Sequence, residues 1–196
     1  MIGGYAIEAF TGTTRLHGDL DIAVFRRDVP ALQEHLGGQF HLWSVGSGSL
    51  RPLLFPDAGI HAPELPNWAG QVWIRRKSTE PWLIDVVTTK DRAGMWTSRL
   101  DPDLALPLED VVWVPEEGPF AGMHVQRPEF VLAHKARHDN PKDRSDLQLT
   151  LPLLDGRARA VLCDLLARWH PGHEWLRKIA DHEARREFTS DLRRQS

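Results

Sequence analysis

Polar and apolar residues alternate along a short stretch near the start of the chain. From position 19 to position 24, Asp19 and Asp21 alternate with Leu20, Ile22 and Val24, which is the period of a half-buried β-strand. Residues two apart on a strand point to the same face. The side chains of Asp19 and Asp21 are therefore predicted to project side by side, with Cα atoms roughly 6.5 Å apart.

The same kind of pattern predicts the other strands. Alternation or short apolar runs favour strands at 40–45, 71–76, 82–89 and 111–114. Strands 71–76 and 82–89 are predicted to form a hairpin, and 111–114 is predicted to belong to a final strand or hairpin that packs on the sheet. Residues 51–70 hold four Pro and two Gly, so a long, partly irregular connection is predicted there.

Helical spacing and capping residues predict the remaining elements. Helices are expected at 5–10, 31–36, 129–138, 142–149, 157–169 and 174–194. The succession predicts an α+β fold, with a mixed β-sheet and flanking helices in residues 1–125 and a helical C-terminal part in residues 126–196.

Two carboxylates on one strand face suggest a metal site. They repel each other unless a cation lies between them or one carboxylate takes a proton. Mg²⁺ fits this position, because it prefers oxygen ligands and is commonly held by one or two carboxylates plus substrate phosphates. The alternative is that Asp19 and Asp21 are solvated residues on the open face of an edge strand. Upstream, Gly3 and Gly4 open a helix, where backbone N–H groups can approach a phosphate.

A third acid, Asp85, stands alone within the apolar strand 82–89. A buried carboxylate is costly unless it is paired, hydrogen-bonded or bound to a metal. The residues alone leave two interpretations open: Asp85 contributes to a site, or it faces solvent or pairs with an arginine.

The run GGYAIEAFTGTTRLHGDLDIAV resembles the signature of the nucleotidyltransferase superfamily that includes DNA polymerase β. That signature is a Gly-Gly or Gly-Ser turn, a helix, and a strand with two acids. The chain is most similar to the aminoglycoside and lincosamide nucleotidyltransferase branch, in which TR-x-H-x-D-x-D follows the helix. The matching residues here are Thr14, Arg15, His17, Asp19 and Asp21.

The likeness continues further along the chain and also has one departure. The stretch from Pro128 to Leu147, with the following Leu-Pro-Leu-Leu-Asp, resembles the same branch. Family members usually carry a helix and a strand before the glycine turn, whereas only Met1 and Ile2 precede Gly3 here.

The resemblance implies a nucleotidyltransferase-like fold and an enzyme. The expected reaction moves a nucleoside monophosphate, AMP from ATP or the equivalent from another nucleoside triphosphate, to a hydroxyl of a small molecule such as an aminoglycoside or lincosamide. Asp19 and Asp21 would bind two Mg²⁺ ions, and Asp85 would be the third acid, ligating the second ion and accepting a proton. The residues expected to bind the nucleotide are Gly3, Gly4, Arg15, Lys135 and Lys142. The alternative is that the side chains of Arg15, Lys135 and Lys142 are solvated cations on the surface.

Charge and composition limit the partners and the cellular compartment that are expected for this chain. The formal net charge is −3, so no overall basic field favours nucleic acid as a partner. The single cysteine, Cys163, excludes an intramolecular disulfide and fits a reducing cytoplasm. No apolar run approaches the ~20 residues that span a bilayer, and no signal peptide is recognised at the start. A cytoplasmic protein without a membrane partner, related to antibiotic resistance enzymes, is therefore the expectation.

Three features leave alternatives open. The same fold also modifies RNA and proteins, including toxin-type members that act on tRNA. A relative without catalytic activity would keep the fold and bind nucleotide or a partner. Eight Trp against one Tyr fits either a core or the walls of a pocket for a sugar or lincosamide ring.

Overall fold

The computed structural model describes residues 1–36, 38–54 and 64–194. They form a mixed α+β structure in which five strands make one mixed sheet and, among the described residues, seven α-helices accompany it. Two compact units are distinguished. The first comprises residues 1–5 and 14–125, and the second comprises residues 6–13 and 126–196. Compact units need not be domains, so the division into residues 1–125 and 126–196 stays a prediction.

The main sheet belongs to the first unit. Its strands are β1 (Leu20–Phe25), β2 (His41–Gly46), β3 (Ser49–Leu53), β4 (Gln71–Arg75) and β5 (Ile84–Thr89). They lie in the order β1-β5-β4-β2-β3. The β1–β5 pair is parallel and the other pairs are antiparallel. The predicted hairpin is confirmed, because β4 and β5 are antiparallel neighbours.

The prediction for residues 51–70 is wrong at its start. Ser49–Leu53 forms a strand that pairs with β2, and residues 55–63 lie outside the described residues. Arg51 and Pro52 obscure the strand signal, because Pro cannot donate to a β-ladder. The position is nevertheless compatible with Pro, since β3 is at the edge of the sheet.

One face of the sheet carries the core of this unit. The helix α2 (Val29–Leu36) follows a short 3₁₀ turn, Arg26–Asp28. Buried apolar residues from this helix, the sheet and the segment before β4 form one cluster: Val29, Leu42, Leu53, Leu65, Ala69, Val72, Ile74 and Val86. Because side chains alternate along a strand, the intervening residues of β1, β4 and β5 point to the other face.

The segment after β5 contains only short elements. They are β6 (Trp96–Thr97), β7 (Ala105–Leu106), α3 (Leu108–Val111), β8 (Val112–Trp113) and β9 (Val125–Gln126). The predicted strand 111–114 is therefore partly wrong. Val111 ends a short helix, and β8 pairs with β9 in a separate two-stranded sheet rather than joining the main one.

Helices make up the C-terminal part. They are α4 (Pro128–Lys135), α5 (Pro141–Thr150), α6 (Gly156–Trp169) and α7 (Glu174–Arg194). Asn140 and Asp155 cap α5 and α6 by accepting backbone N–H groups of the first turn. Apolar side chains such as Leu132, Leu162 and Trp175 are fully buried. Within the part of the chain that the structure describes, no helix has the length and apolar character needed to cross a membrane.

The first helix, α1 (Gly3–Thr11), begins at the glycine pair. This confirms the predicted helix at 5–10 and extends it to Gly3. Residues 3–5 belong to the first unit and the remainder of the helix belongs to the second. Ile2, just before it, donates its backbone N–H to the carbonyl of Asp21 at 3.0 Å. The glycine turn is thereby held beside β1.

Candidate functional site

Two of the three predicted acids face each other across neighbouring strands. In the parallel pair β1–β5, Asp21 is in register with Asp85. Residues in register on adjacent strands share a face, and adjacent strands are about 4.8 Å apart. Asp19 lies in the bend that precedes β1 and is exposed, whereas Asp21 and Asp85 are half-buried. Sequence reasoning placed Asp19 within the strand; in the structure the strand begins one residue later.

The acids influence one another electrostatically. The pKa of Asp85 is raised from 3.8 to about 6, mainly by burial and additionally by the negative charges of Asp21 and Asp19. The carboxyl group of Asp85 is therefore close enough to both aspartates to feel their charge. Such repulsion is relieved by a proton or by a bound cation.

Neutral donors orient Asp85. The side-chain amide nitrogen of Gln71 donates to both carboxylate oxygens, at 3.0 and 2.8 Å. The side chain of Trp73 also donates to Asp85, and both interactions favour the ionised form. A carboxylate has about four lone-pair sites, so these donors do not saturate Asp85.

Gln71 and Trp73 were not predicted as site residues, although the sequence carried a signal for them. Both lie on β4, and Trp73 is in register with Asp85. Within the predicted hairpin, alternation places residues 71, 73 and 85 on one face. Combining the alternation with the hairpin register would have found them.

The two glycines lie against site side chains. Gly3 has a φ of +64°, and a Cβ atom there would overlap the Asp21 carboxylate. A Cβ atom on Gly4 would lie 2.6 Å from His17 Nδ1, closer than real Cβ contacts come. The positive φ and the close approach to Asp21 favour glycine at position 3, whereas a side chain at position 4 would require Arg15 and His17 to shift. This preference for glycine holds without a phosphate, so the predicted phosphate contact of Gly3 and Gly4 stays a prediction.

His17 and Arg15 fill the space beside Gly4. The His17 ring stacks on Tyr5, with centroids 3.9 Å apart and planes inclined by 24°. Arg15 donates from Nη1 to the carbonyl of Leu16 at 3.1 Å, and its Nη2 faces Gly4. Arg15 is thus next to the glycine turn, and its nucleotide contact stays a prediction. The resemblance included His17 as a matching residue without giving it a role.

The two predicted lysines belong to the second unit and have different surroundings. The ammonium of Lys135 lies 2.9 Å from a carboxylate oxygen of Asp143 and 2.9 Å from one of Asp146. Lys142 is exposed on α5. Their predicted contact with a nucleotide is not tested by these surroundings. Lys135 nevertheless has a structural role of its own, because it neutralises part of the charge of two buried acids.

The residues present fit a magnesium ion in donor type. Three carboxylates, two of them in register on one sheet face, supply the oxygen ligands that Mg²⁺ prefers. Burial is the main cause of the raised pKa of Asp85, and the charges of Asp21 and Asp19 add a repulsion that a cation would relieve. In residues 1–36, 38–54 and 64–194, no three His, Cys, Asp or Glu side chains already stand together as a metal-binding group. The fit rests on charge and shared face, and the three acids would have to draw together around an ion.

Comparison with known proteins adds no relative to this picture. No protein-family model matches the chain, and no curated protein has significant similarity to it.

Proposed function

We propose that the chain is a Mg²⁺-dependent nucleotidyltransferase with the fold of the superfamily that includes DNA polymerase β. The observation that carries the proposal is the register of Asp21 with Asp85 on parallel strands, together with the electrostatic effect of Asp21 and Asp19 on Asp85. The likeness of residues 3–24 to the superfamily signature supports the same conclusion. The proposed donor is ATP or another nucleoside triphosphate, and the acceptor is a hydroxyl of a small molecule.

In the proposed reaction the acceptor oxygen forms a bond to the α-phosphorus. The bond from the α-phosphorus to the bridging oxygen breaks, and pyrophosphate leaves. The hydroxyl proton passes to Asp85, whose pKa of about 6 keeps it largely ionised yet basic at neutral pH. Asp19 and Asp21 would hold Mg²⁺, which would neutralise phosphate charge and lower the pKa of the attacking hydroxyl.

The proposed acceptors follow from the resemblance and include aminoglycosides and lincosamides. A toxin-type enzyme that modifies tRNA or protein, and a nucleotide-binding relative without activity, remain alternatives. A measurement of turnover would distinguish the nucleotide-binding relative without activity from the proposed enzyme. A protein that binds Mg²⁺–ATP but never releases pyrophosphate with any acceptor would be such an inactive relative.

Calorimetry with a non-hydrolysable ATP analogue tests the proposal. We expect wild type to bind the analogue only with Mg²⁺, and Asp19→Asn and Asp21→Asn to weaken that binding at least about 100-fold. Glu34→Gln is the matched control, because Glu34 is an exposed acid on α2, which packs on the opposite face of the sheet. Circular dichroism would check that each variant is folded. Mg²⁺-independent binding, or full binding by both aspartate variants, would contradict the proposal.

A further inference from the structure

The sheet face that carries the acids continues into a group of tryptophans. Asp85 is in register with Trp73, and Trp73 is in register with Trp43. Asp21, Asp85, Trp73 and Trp43 therefore form one row across four strands. At about 4.8 Å per strand, the row extends roughly 15 Å from its acidic end to Trp43.

Two further side chains complete the group. Trp82 precedes β5, and its ring centroid lies 6.3 Å from that of Trp43 and 5.4 Å from that of Trp73. The guanidinium carbon of Arg75 lies 5.1 Å from the Trp43 centroid and 4.3 Å from the Trp82 centroid. We call Trp43, Trp73, Trp82 and Arg75 the Trp platform.

The Trp platform is separate from the hydrophobic core. The core cluster of this unit lies on the other face of the sheet and does not include the three tryptophans. All four platform residues are half-buried. Large aromatic side chains are usually placed in a core when only packing is required, so a partly exposed group beside an acidic site indicates a binding surface.

The Trp platform also leaves hydrogen-bonding capacity unused. Trp43 Nε1 and Arg75 Nε are shielded from solvent and, among the described residues, have no acceptor. Buried donors without an acceptor cost free energy, and each one calls for an explanation. A ligand oxygen entering beside the indole and the guanidinium would supply the missing acceptor.

Charge selects among ligands for this surface. No carboxylate of the described residues forms an ion pair with Arg75, whose guanidinium instead lies over the rings of Trp43 and Trp82. With Mg²⁺ compensating the neighbouring acids, this guanidinium would repel a positively charged ligand at short range and attract an acidic one, and it would donate hydrogen bonds to a neutral one. The Trp platform is therefore poorly suited to a polycation such as an aminoglycoside.

The position of the Trp platform beside Asp85 favours the acceptor, rather than the nucleotide, as its ligand. The acceptor hydroxyl must reach Asp85, which is proposed to take its proton, and Trp73 both neighbours and hydrogen-bonds Asp85. A ring that presents a hydroxyl to Asp85 would thus lie over Trp73. A nucleobase is separated from the α-phosphate by the ribose, so it fits this adjacent position less well.

We infer that the Trp platform is the acceptor subsite and that it binds a sugar ring without a positive charge. This inference rests on the proposed function. The C–H face of the ring stacks on the indoles, Arg75 donates to ring or carboxylate oxygens, and one hydroxyl is presented to Asp85. The transfer step is the one given above, with the sugar hydroxyl as the attacking group and pyrophosphate as the leaving group.

Three sugars of one shape and different charge test the inference. Saturation-transfer NMR would measure the binding of methyl glucoside, glucuronate and glucosamine to wild type in the presence of Mg²⁺ and the ATP analogue. We expect signals from methyl glucoside and glucuronate, and about tenfold weaker binding of glucosamine. Trp82→Leu should weaken binding of the first two sugars about tenfold by removing one stacking surface. Arg75→Gln should abolish the preference for glucuronate over glucosamine.

Arg51→Gln is the matched control. The Arg51 guanidinium lies 5.4 Å from the Trp68 ring centroid, and Arg51 is on the strand row of the opposite face. It should change none of these signals. Trp82→Leu and Arg75→Gln should also leave binding of the Mg²⁺–ATP analogue unchanged.

The outcomes separate the inference from the proposed function. Analogue binding without any sugar signal, equal binding of the three sugars, or loss of analogue binding in Trp82→Leu would overturn the inference alone. The last result would make the Trp platform a nucleobase subsite. Failure of wild type to bind the Mg²⁺–ATP analogue would overturn the proposed function, and the acceptor assignment with it, even if sugars bound.

Discussion

Two clusters of acidic residues in this protein are balanced in different ways. In the second unit, Asp143 and Asp146 are 3% and 1% exposed, and the ammonium of Lys135 lies between them. In the first unit, Asp85 receives hydrogen bonds only from neutral groups of the described residues, and burial together with the charges of two further aspartates raises its pKa to about 6.

The difference distinguishes a structural role from a functional one. Where buried acids serve the fold, the chain supplies the cation, because an uncompensated buried charge is costly. At Asp85 the chain adds negative charge and orients the carboxylate with an amide and an indole. Such an arrangement is typical of a group prepared for a proton or an exogenous cation. The comparison predicts that loss of the cation in the Lys135 cluster lowers the stability of the fold. Changes at the Asp85 site are predicted to weaken ligand binding instead.

The largest effect is expected for Lys135→Met. Removing the ammonium leaves two buried carboxylates without their cation, so the free energy of unfolding should fall by about 4 kcal/mol. Urea denaturation at neutral pH would measure the loss. Asp143→Asn in the same background should recover part of it by removing one buried charge. Lys142→Met, at an exposed position of the same helical region, should change stability by less than about 0.5 kcal/mol. Equal stability of the two lysine variants would contradict the structural role of Lys135.

A smaller effect is expected at the glycine turn. Gly3→Ala places a Cβ atom on a residue with φ +64° and against the Asp21 carboxylate. Gly12→Ala meets a similar φ of +68° with no atom within 4 Å of the new Cβ. Gly12→Ala is the control, and its free energy of unfolding should fall by about 1 kcal/mol from backbone strain alone. For Gly3→Ala the free energy of unfolding should fall by about 2–3 kcal/mol, because the overlap adds to that strain. Thermal unfolding would compare them. Only Gly3→Ala should also reduce Mg²⁺-dependent nucleotide binding, since only its new atom displaces an acid of the site.

Asp85→Asn is expected to raise the free energy of unfolding at neutral pH, whereas the preceding substitutions lower it. The pKa of Asp85 is raised in the folded state, so its contribution to stability is full below pH 3.8 and is lost as the pH rises through about 6. At pH 7 the variant should therefore be more stable than wild type by about 1–2 kcal/mol, allowing for partial solvent screening. Near pH 3.5 the two should be equal. Asp103→Asn, an exposed acid, is the control and should show no such gain. A variant that is destabilised at pH 7 would show that Asp85 serves the fold.

The comparison also shows what sequence patterns could provide. Helix periods and the hairpin at 71–89 depend on nearby residues, and the structure contains those elements. The pairing of Asp21 with Asp85 joins strands that are distant in the chain, and alternation within a strand carries no information about such a register. The role of Asp85 therefore came from the resemblance rather than from the pattern.

Other features depended on tertiary contacts. The strand Ser49–Leu53 was missed because its residues alternate poorly and its pairing with β2 defines it. The glycine pair was recognised, but the contact of Gly3 with Asp21 is visible only when the helix start lies beside β1. The sequence shows the Trp platform only as an excess of Trp. Its position follows from combining alternation with the register of three strands.

The smallest expected effect concerns the pH dependence of metal binding. A proton on Asp85 competes with Mg²⁺, and the pKa of this group is about 6 in the free protein. Lowering the pH from 7 to 5.5 should therefore weaken Mg²⁺-dependent binding of the ATP analogue by about fourfold, because the ionised fraction falls by that factor. Calorimetry at the two pH values would measure the change. Asp85→Asn should remove this pH dependence along with most of the affinity. Glu34→Gln, at an exposed acid of α2, is the control and should leave the pH dependence as it is in wild type. A wild-type affinity that is constant over this pH range would mean that Asp85 takes no part in binding Mg²⁺. Its carboxylate would then have no role in the proposed metal site.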